Sequence, residues 1–278
     1  MEYRKLNNGI KMPMLGLGTY LSKDPEECRD IVSEALGMGY RLIDTAQFYF
    51  NEEYVGAGIA ASGIPREEVF VTTKVWFNRY EDAYDSVLES LEKLKTGYID
   101  LVLLHWPFGN TYKAWRDLEK LYREGVVKAI GVSNFSAARL VDLVLRNDVT
   151  PAVNQIETNL VAQQRECHLW MEKYGVAHES YAPLARGRVD ELYDNEIFGG
   201  ICARYGKTPR KAVLRFLIQE GVIVIPKTTH VERLRENYDI FDFELDEAEM
   251  AALRSLDREQ PLIGTPEDPE TVERAAGW

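Results

Sequence analysis

The chain has 278 residues, 45% hydrophobic and 28% charged, which suits one large α/β domain or two small ones. Its net charge of −12 argues against a general nucleic-acid surface, which needs a basic face, but not against a small local anion pocket. The three cysteines, Cys28, Cys167 and Cys202, form no C-x-x-C, and the four histidines have no metal spacing, so a disulfide framework and a zinc site are both disfavoured.

Met1-Glu2-Tyr3-Arg4-Lys5 lacks the apolar run of a signal peptide, and no apolar run approaches membrane-spanning length. A cytoplasmic protein with no membrane partner is expected. Asn7-Asn8-Gly9 is a turn signal, so residues 3–15 read as a hairpin. Residues 15–20 read as a first strand. Its Gly16-x-Gly18 is not a dinucleotide fingerprint, because the third glycine is missing. Asp24-Pro25-Glu26-Glu27 opens a helix with an N-cap, a first-turn proline and a capping box. Strands then recur at 40–46, 69–75, 99–105, 127–133, 152–157, 176–182 and 222–227. Helices are predicted from 51 to about 61, near 82–95, at about 112–124, at 136–147 and at 162–174, then near 195–205, at 209–220 and from about 230. Asp246-Glu247-Ala248-Glu249 opens one more helix, and residues 258–278 read as a proline-rich polar tail. Eight strand-helix units without a linker predict a (β/α)8 TIM barrel over 1–278, with an N-terminal hairpin plug and an extra C-terminal helix and tail. A doubly wound open sheet is the alternative, weakened by the missing phosphate-binding glycine turn.

Three predicted strands end in reactive groups. The first carries Asp44, with Tyr49 in the loop beyond it and Asn51 reading as the next helix N-cap. The second ends in Lys74 and the third in His105. Each residue alone has a plain structural use. A lysine that closes an apolar strand, however, is costly to bury unless paired, and Asp44 is the obvious partner. A barrel gathers the C-terminal ends of its strands on one rim, which brings Asp44, Lys74 and His105 together.

With those residues in place, the chain resembles the aldo-keto reductases along nearly its whole length, closest to the bacterial 2,5-diketo-D-gluconic acid reductase and prostaglandin F synthase-like branch. The matching motifs are Gly16-Leu17-Gly18-Thr19, Asp44-Thr45-Ala46 with Tyr49 and Asn51-Glu52, Thr73-Lys74, and Leu104-His105-Trp106-Pro107. They continue through Gly131-Val132-Ser133-Asn134-Phe135, Val153-Asn154-Gln155-Ile156-Glu157, Ala182-Pro183-Leu184, and Ile225-Pro226-Lys227-Thr228 followed by Arg233, Glu236 and Asn237. The resemblance implies a catalytic tetrad of Asp44, Tyr49, Lys74 and His105, and NADPH as cofactor. Tyr49 would be the proton donor, Lys74 would favour its phenolate, Asp44 would hold Lys74, and His105 would orient the carbonyl.

By the same resemblance, Ser133, Asn134 and Gln155 would hold the carboxamide and Tyr181 would stack on the nicotinamide. Gly18, Thr19, Tyr20, Asp44, Pro183 and Leu184 would also contact the cofactor. Lys227, Thr228 and Arg233 would meet phosphate at a helix start, with Arg233 on the 2′-phosphate and Asn237 on the adenine, and Glu236 would also contact the cofactor. Tyr20, Tyr49, Trp76, His105 and Trp106 would meet a small-molecule carbonyl substrate, Phe77 and Phe108 would extend the aromatic wall, and the tail ending at Trp278 would form a lid. A monomer is expected. The chain departs from the family at His178, where an apolar residue is usual, at Ala182, and in the Ala185-Arg186-Gly187 loop. Two other functions compete with reduction: a cofactor-binding regulatory protein with little turnover, and a lyase using Lys74 as a Schiff base.

Overall fold

Strand β1 (Tyr3–Lys5) pairs antiparallel with β2 (Lys11–Pro13) as the predicted hairpin, in a computed structural model that describes residues 1–278 except 189, 264 and 276–278. The hairpin loop donates from Asn7 Nδ2 to Pro151 O at 2.9 Å and from Asn8 Nδ2 to Lys128 O at 3.0 Å. Both carbonyls lie near the N-terminal ends of barrel strands, so the hairpin covers the end opposite the reactive rim.

Eight parallel strands follow in sequential spatial order: β3 (Leu17–Gly18), β4 (Leu42–Asp44), β5 (Phe70–Val75), β6 (Ile99–Leu104), β7 (Val127–Ser133), β8 (Val153–Glu157), β9 (Ala177–Tyr181) and β10 (Ile223–Val224). Parallel bridges Leu15–Val224 and Gly18–Lys227 join the two outer strands and close the barrel. A Cβ on Gly18 would stand 2.8 Å from the Ile225 carbonyl oxygen. The Gly-x-Gly therefore serves the barrel seam. The strands expected at 15–20 and 222–227 shorten to two residues each there, and Pro226 has no N–H to extend the ladder.

The helices are α1 (Pro25–Met38), α2 (Glu52–Ala61), α3 (Ala83–Leu94), α4 (Thr111–Arg123), α5 (Ala137–Arg146), α6 (Arg165–Lys173), α7 (Glu196–Tyr205), α8 (Pro209–Gln219), α9 (Val231–Tyr238), α10 (Glu247–Arg254) and α11 (Pro269–Ala275). None is long and apolar enough to cross a membrane, among the described residues. Helix α6 starts later than predicted, because residues 159 and 162 pair in a turn and Gln164 takes a positive φ of 54°. The predicted polar tail contains the short helix α11. At Asp24 only the Glu27 N–H bond of the predicted box is made, at 2.8 Å; the full reciprocal box is at Asp246 and Glu249.

Asn51 stands at the start of α2, but its side chain does not cap it. The amide accepts from Thr45 Oγ1 at 2.6 Å and donates to Thr19 O at 2.9 Å and Ser22 O at 3.2 Å. Buried carbonyls need partners, and these sit under the reactive rim.

Helix α2 packs between α1 and α3, and Gly56 is its point of closest approach. A Cβ at Gly56 would lie 2.1 Å from the Leu94 carbonyl oxygen and 2.7 Å from its carbon. Alanine normally favours a helix by about 0.8–1 kcal/mol over glycine, but overpacking costs about 1–3 kcal/mol, and here the obstacle is backbone. Gly56→Ala should therefore lower the denaturant midpoint, for a net loss of about 1–2 kcal/mol. A stabilised variant would show that the α2–α3 contact yields easily.

Candidate active site

Asp44 closes β4, Lys74 lies one residue from the end of β5, and His105 follows β6 directly. Parallel register brings these three neighbouring strand ends together. Lys74 has no exposure to water and Asp44 is 2% exposed. The Lys74 ammonium has three hydrogens. It donates to Asp44 Oδ1 at 2.5 Å, to Thr45 O at 3.0 Å and to Tyr49 OH at 3.3 Å. Tyr49 rides on a 3₁₀ turn, Gln47–Tyr49, that Gln47 pins. The Gln47 amide donates to Ser86 O at 3.0 Å, and its oxygen accepts from Trp76 N at 3.0 Å.

Burial works to strip the Lys74 proton, but Asp44 and then Tyr49 more than offset it, and the ammonium is held. Burial also pushes Asp44 upward, against the pull of Lys74. Tyr49 is pushed up to about 12 by burial, although Lys74 pulls the other way. The expected phenolate-favouring effect of Lys74 is thus present but outweighed, and the resting phenol keeps its proton. His105 falls well below its usual value, first through burial and then through Lys74, so its ring is neutral. Its Nδ1 is buried without a hydrogen-bond partner among the described residues.

These groups open onto a cavity of about 680 Å³. Asp44, Tyr49, Trp76, His105 and Trp106 line one side. Phe48 stacks on Trp76 at 4.0 Å between ring centroids, and Tyr20 tilts against Tyr49 at 5.0 Å. Phe77 and Phe108 stand behind this wall, against Trp76 and Trp106, rather than in it. Ser133, Asn134, Gln155 and Tyr181 line the cavity beside that wall. Asn134, at φ 62°, donates to His105 O at 2.9 Å and accepts from Tyr181 OH at 2.8 Å. Ser133 Oγ donates to Gln155 O at 2.8 Å. Gln155 Nε2 donates to Asp44 Oδ2 at 2.8 Å. Gly18, Pro183, Leu184, Lys227 and Arg233 complete the cavity. A smaller cleft of about 310 Å³ lies behind Tyr181 and Asn134. Burial pushes its one thiol, Cys167, up to about 12, which leaves it unreactive.

Four expected cofactor contacts lie off the cavity wall. Thr19 is buried and its Oγ1 donates to Asp44 O at 2.9 Å, between the ends of the paired strands β3 and β4. Thr228 Oγ1 accepts from His230 N at 3.0 Å in a turn before α9. Glu236 accepts from Thr208 Oγ1 at 2.9 Å, at the start of α8. Asn237 is buried in α9. The sequence reading missed Leu21, Phe48, Ile263 and Arg274 as cavity residues and treated Arg186 only as part of an altered loop. Arg186 lies 5.4 Å from the Tyr20 ring centroid. Its place after a strand end was the one available signal. The expected lid residue Trp278 lies outside the described residues. His178 faces away from the cavity; its Nε2 meets Thr158 Oγ1 at 2.7 Å and its Nδ1 meets His168 Nδ1 at 2.9 Å. Those partners explain how a histidine replaces an apolar residue there. No group of three or more metal-ligating side chains occurs among the described residues.

The Aldo/keto reductase family profile matches residues 14–258. Glyoxal reductase of Bacillus subtilis (strain 168) is 40% identical over 267 residues, covering 95% of this chain and 96% of that protein. Among solved structures, MGS-M4, an aldo-keto reductase from a Medee basin deep-sea metagenome library, superposes with a TM-score of 0.92 at 42% identity, over 95% of this chain and 98% of that one. A Bombyx mori aldo-keto reductase in complex with NADP gives 0.89 at 33% identity, over 98% and 96%. The chain is an oxidoreductase of the aldo/keto reductase family.

Proposed function

We propose that this protein reduces aldehydes, ketones or keto-sugars to alcohols with NADPH, and that Tyr49 donates the proton. The observation that carries this reading is the Asp44–Lys74–Tyr49 string, opening beside a neutral His105 onto one cavity. The similarity to glyoxal reductase supports small α-oxoaldehydes among the substrates.

The residues present fit the cofactor. Ser133, Asn134 and Gln155 offer the polar groups a carboxamide needs, and Tyr181 offers a ring face for the nicotinamide. Lys227 and Arg233 are exposed cavity cations with no acidic partner among the described residues, on a chain of net charge −12. When bound, NADPH supplies the hydride. Tyr49, protonated at rest, gives its proton to the carbonyl oxygen. Lys74, 3.3 Å away, stabilises the phenolate left behind, and Asp44 keeps Lys74 charged and aimed. The neutral His105 ring can donate from Nε2 to the carbonyl oxygen and fix its approach. Trp76 and Trp106 wall this region. Lys74 is charged, saturated with acceptors and off the cavity wall, which weighs against a Schiff-base role. No observation favours a regulatory protein without turnover.

Tyr49→Phe removes only the proton donor. It should cut carbonyl reduction by about 10²–10⁴ while leaving NADPH affinity near that of the unmodified protein. Turnover close to the unmodified rate would remove Tyr49 from this role. A guanidinium matches phosphate geometry better than an ammonium does. One charge-assisted bond is worth about 1.5–3 kcal/mol, or about ten- to a hundredfold in affinity. Fluorescence titration should therefore show NADPH binding at least about tenfold tighter than NADH, a margin that shrinks with salt and mostly vanishes in Arg233→Ala. Equal affinities for the two cofactors, or an unchanged ratio in the variant, would reject Arg233 as the 2′-phosphate contact.

A further inference from the structure

Glu179 lies in β9, has no exposure to water, and sits beside Gln155 in the strand register. The roles above make no use of it. Its Oε2 accepts from Gln155 Nε2 at 2.9 Å, the same nitrogen that donates to Asp44 Oδ2 at 2.8 Å. An amide nitrogen has two hydrogens, so both are spent. The Gln155 carbonyl oxygen is the polar atom left for the cavity that Gln155 lines. Glu179 Oε1 is buried with no hydrogen-bond partner among the described residues.

Two carboxyl groups thus share one amide, and a single cation faces them. Asp44 of β4 and Lys74 of β5 are the charged groups that act on Glu179, and Gln155 of β8 is its polar neighbour. Its other neighbouring strand, β10, offers apolar Ile223 in register. Two ionised carboxylates against one ammonium would leave a net negative charge in the barrel interior, which is costly. Asp44 has the ammonium at 2.5 Å and Glu179 has no cation in contact, so the proton belongs on Glu179. Burial and then Asp44 push Glu179 up to about 8, against Gln155 and Lys74.

We propose that Glu179 is a positioning residue of this site: as a neutral acid it shares the Gln155 amide with Asp44 and so turns the Gln155 carbonyl oxygen toward the N–H donors of a bound carboxamide. The inference rests on the NADPH reading above. It has a pH consequence. Once Glu179 ionises, its charge opposes formation of the Tyr49 phenolate and competes with Asp44 for Lys74, so carbonyl reduction falls as pH rises through that ionisation.

The test measures NADPH affinity and the pH profile of aldehyde reduction in the unmodified protein, Glu179→Gln and Glu179→Leu. Glutamine imitates the neutral acid and keeps an acceptor for Gln155; leucine does not. Glu179→Leu should bind NADPH about three- to tenfold more weakly, the effect of one lost hydrogen bond, and Glu179→Gln should restore it. The unmodified protein should lose at least about threefold in rate from about pH 7 to about pH 9, and Glu179→Gln should lose that decline. Unchanged NADPH affinity in Glu179→Leu, or the same alkaline decline in Glu179→Gln, would overturn the proposal. If the leucine variant does not fold, the glutamine comparison decides, together with an infrared difference spectrum of unmodified protein minus Glu179→Gln. A protonated carboxyl band at neutral pH supports the proposal, and its absence overturns it. If the unmodified protein binds no NADPH, the functional reading fails, and the infrared band still reports on Glu179.

Discussion

A lysine ammonium out of reach of water persists only where protein groups replace its hydration shell, because an unpaired buried charge costs several kcal/mol. In this chain Lys74 meets that condition through Asp44, the Thr45 carbonyl and the Tyr49 hydroxyl, one acceptor for each hydrogen. Much of the rim is arranged around this. The Asp44 end of β4 must lie beside the Lys74 end of β5, which the parallel register secures. The loop after β4 must fold back to bring Tyr49 over the pair. Asn51 and Gln47 tie that loop to neighbouring elements from either side.

The same constraint sets the charge state of the site. A fixed ammonium under the cavity floor helps keep His105 neutral and lowers the cost of a phenolate at Tyr49. Burial raises that cost by more, so the resting hydroxyl stays protonated. Asp44 divides its two oxygens between Lys74 and Gln155. Lys74 and Gln155 are therefore linked through one carboxylate. Lys227 and Arg233, which also line the cavity, are exposed cations on an acidic chain, where an anionic ligand can meet them.

The barrel and the meeting of Asp44, Lys74 and His105 were legible because those three residues lie at the ends of strand patterns, where periodicity and burial cost give a clear signal. Lys74 ending an apolar run called for a carboxylate, and Asp44 stood at the matching place one strand earlier. Side-chain orientation was not legible. Asn51 has the residue type and position of a helix cap, yet its amide serves the Thr19 and Ser22 carbonyls. Glu236 and Thr228 belong to family motifs, and their local bonds, from Thr208 Oγ1 and from His230 N, are not specified by those motifs. Glu179 lies in a run that reads as an ordinary strand, and only the register with Gln155 shows that it points into the barrel. The short seam strands β3 and β10 depend on Pro226 and on backbone contact at Gly18, which no periodicity reveals.

The pH dependence of carbonyl reduction in Lys74→Met reports on the coupling of Lys74 to Tyr49. Methionine keeps much of the side-chain volume and removes the charge. With that coupling, the rate falls by about 10²–10⁴ and the apparent tyrosine titration moves to higher pH, because burial is then unopposed. A Lys74→Met protein that folds and keeps both its rate and its tyrosine titration unchanged would contradict it.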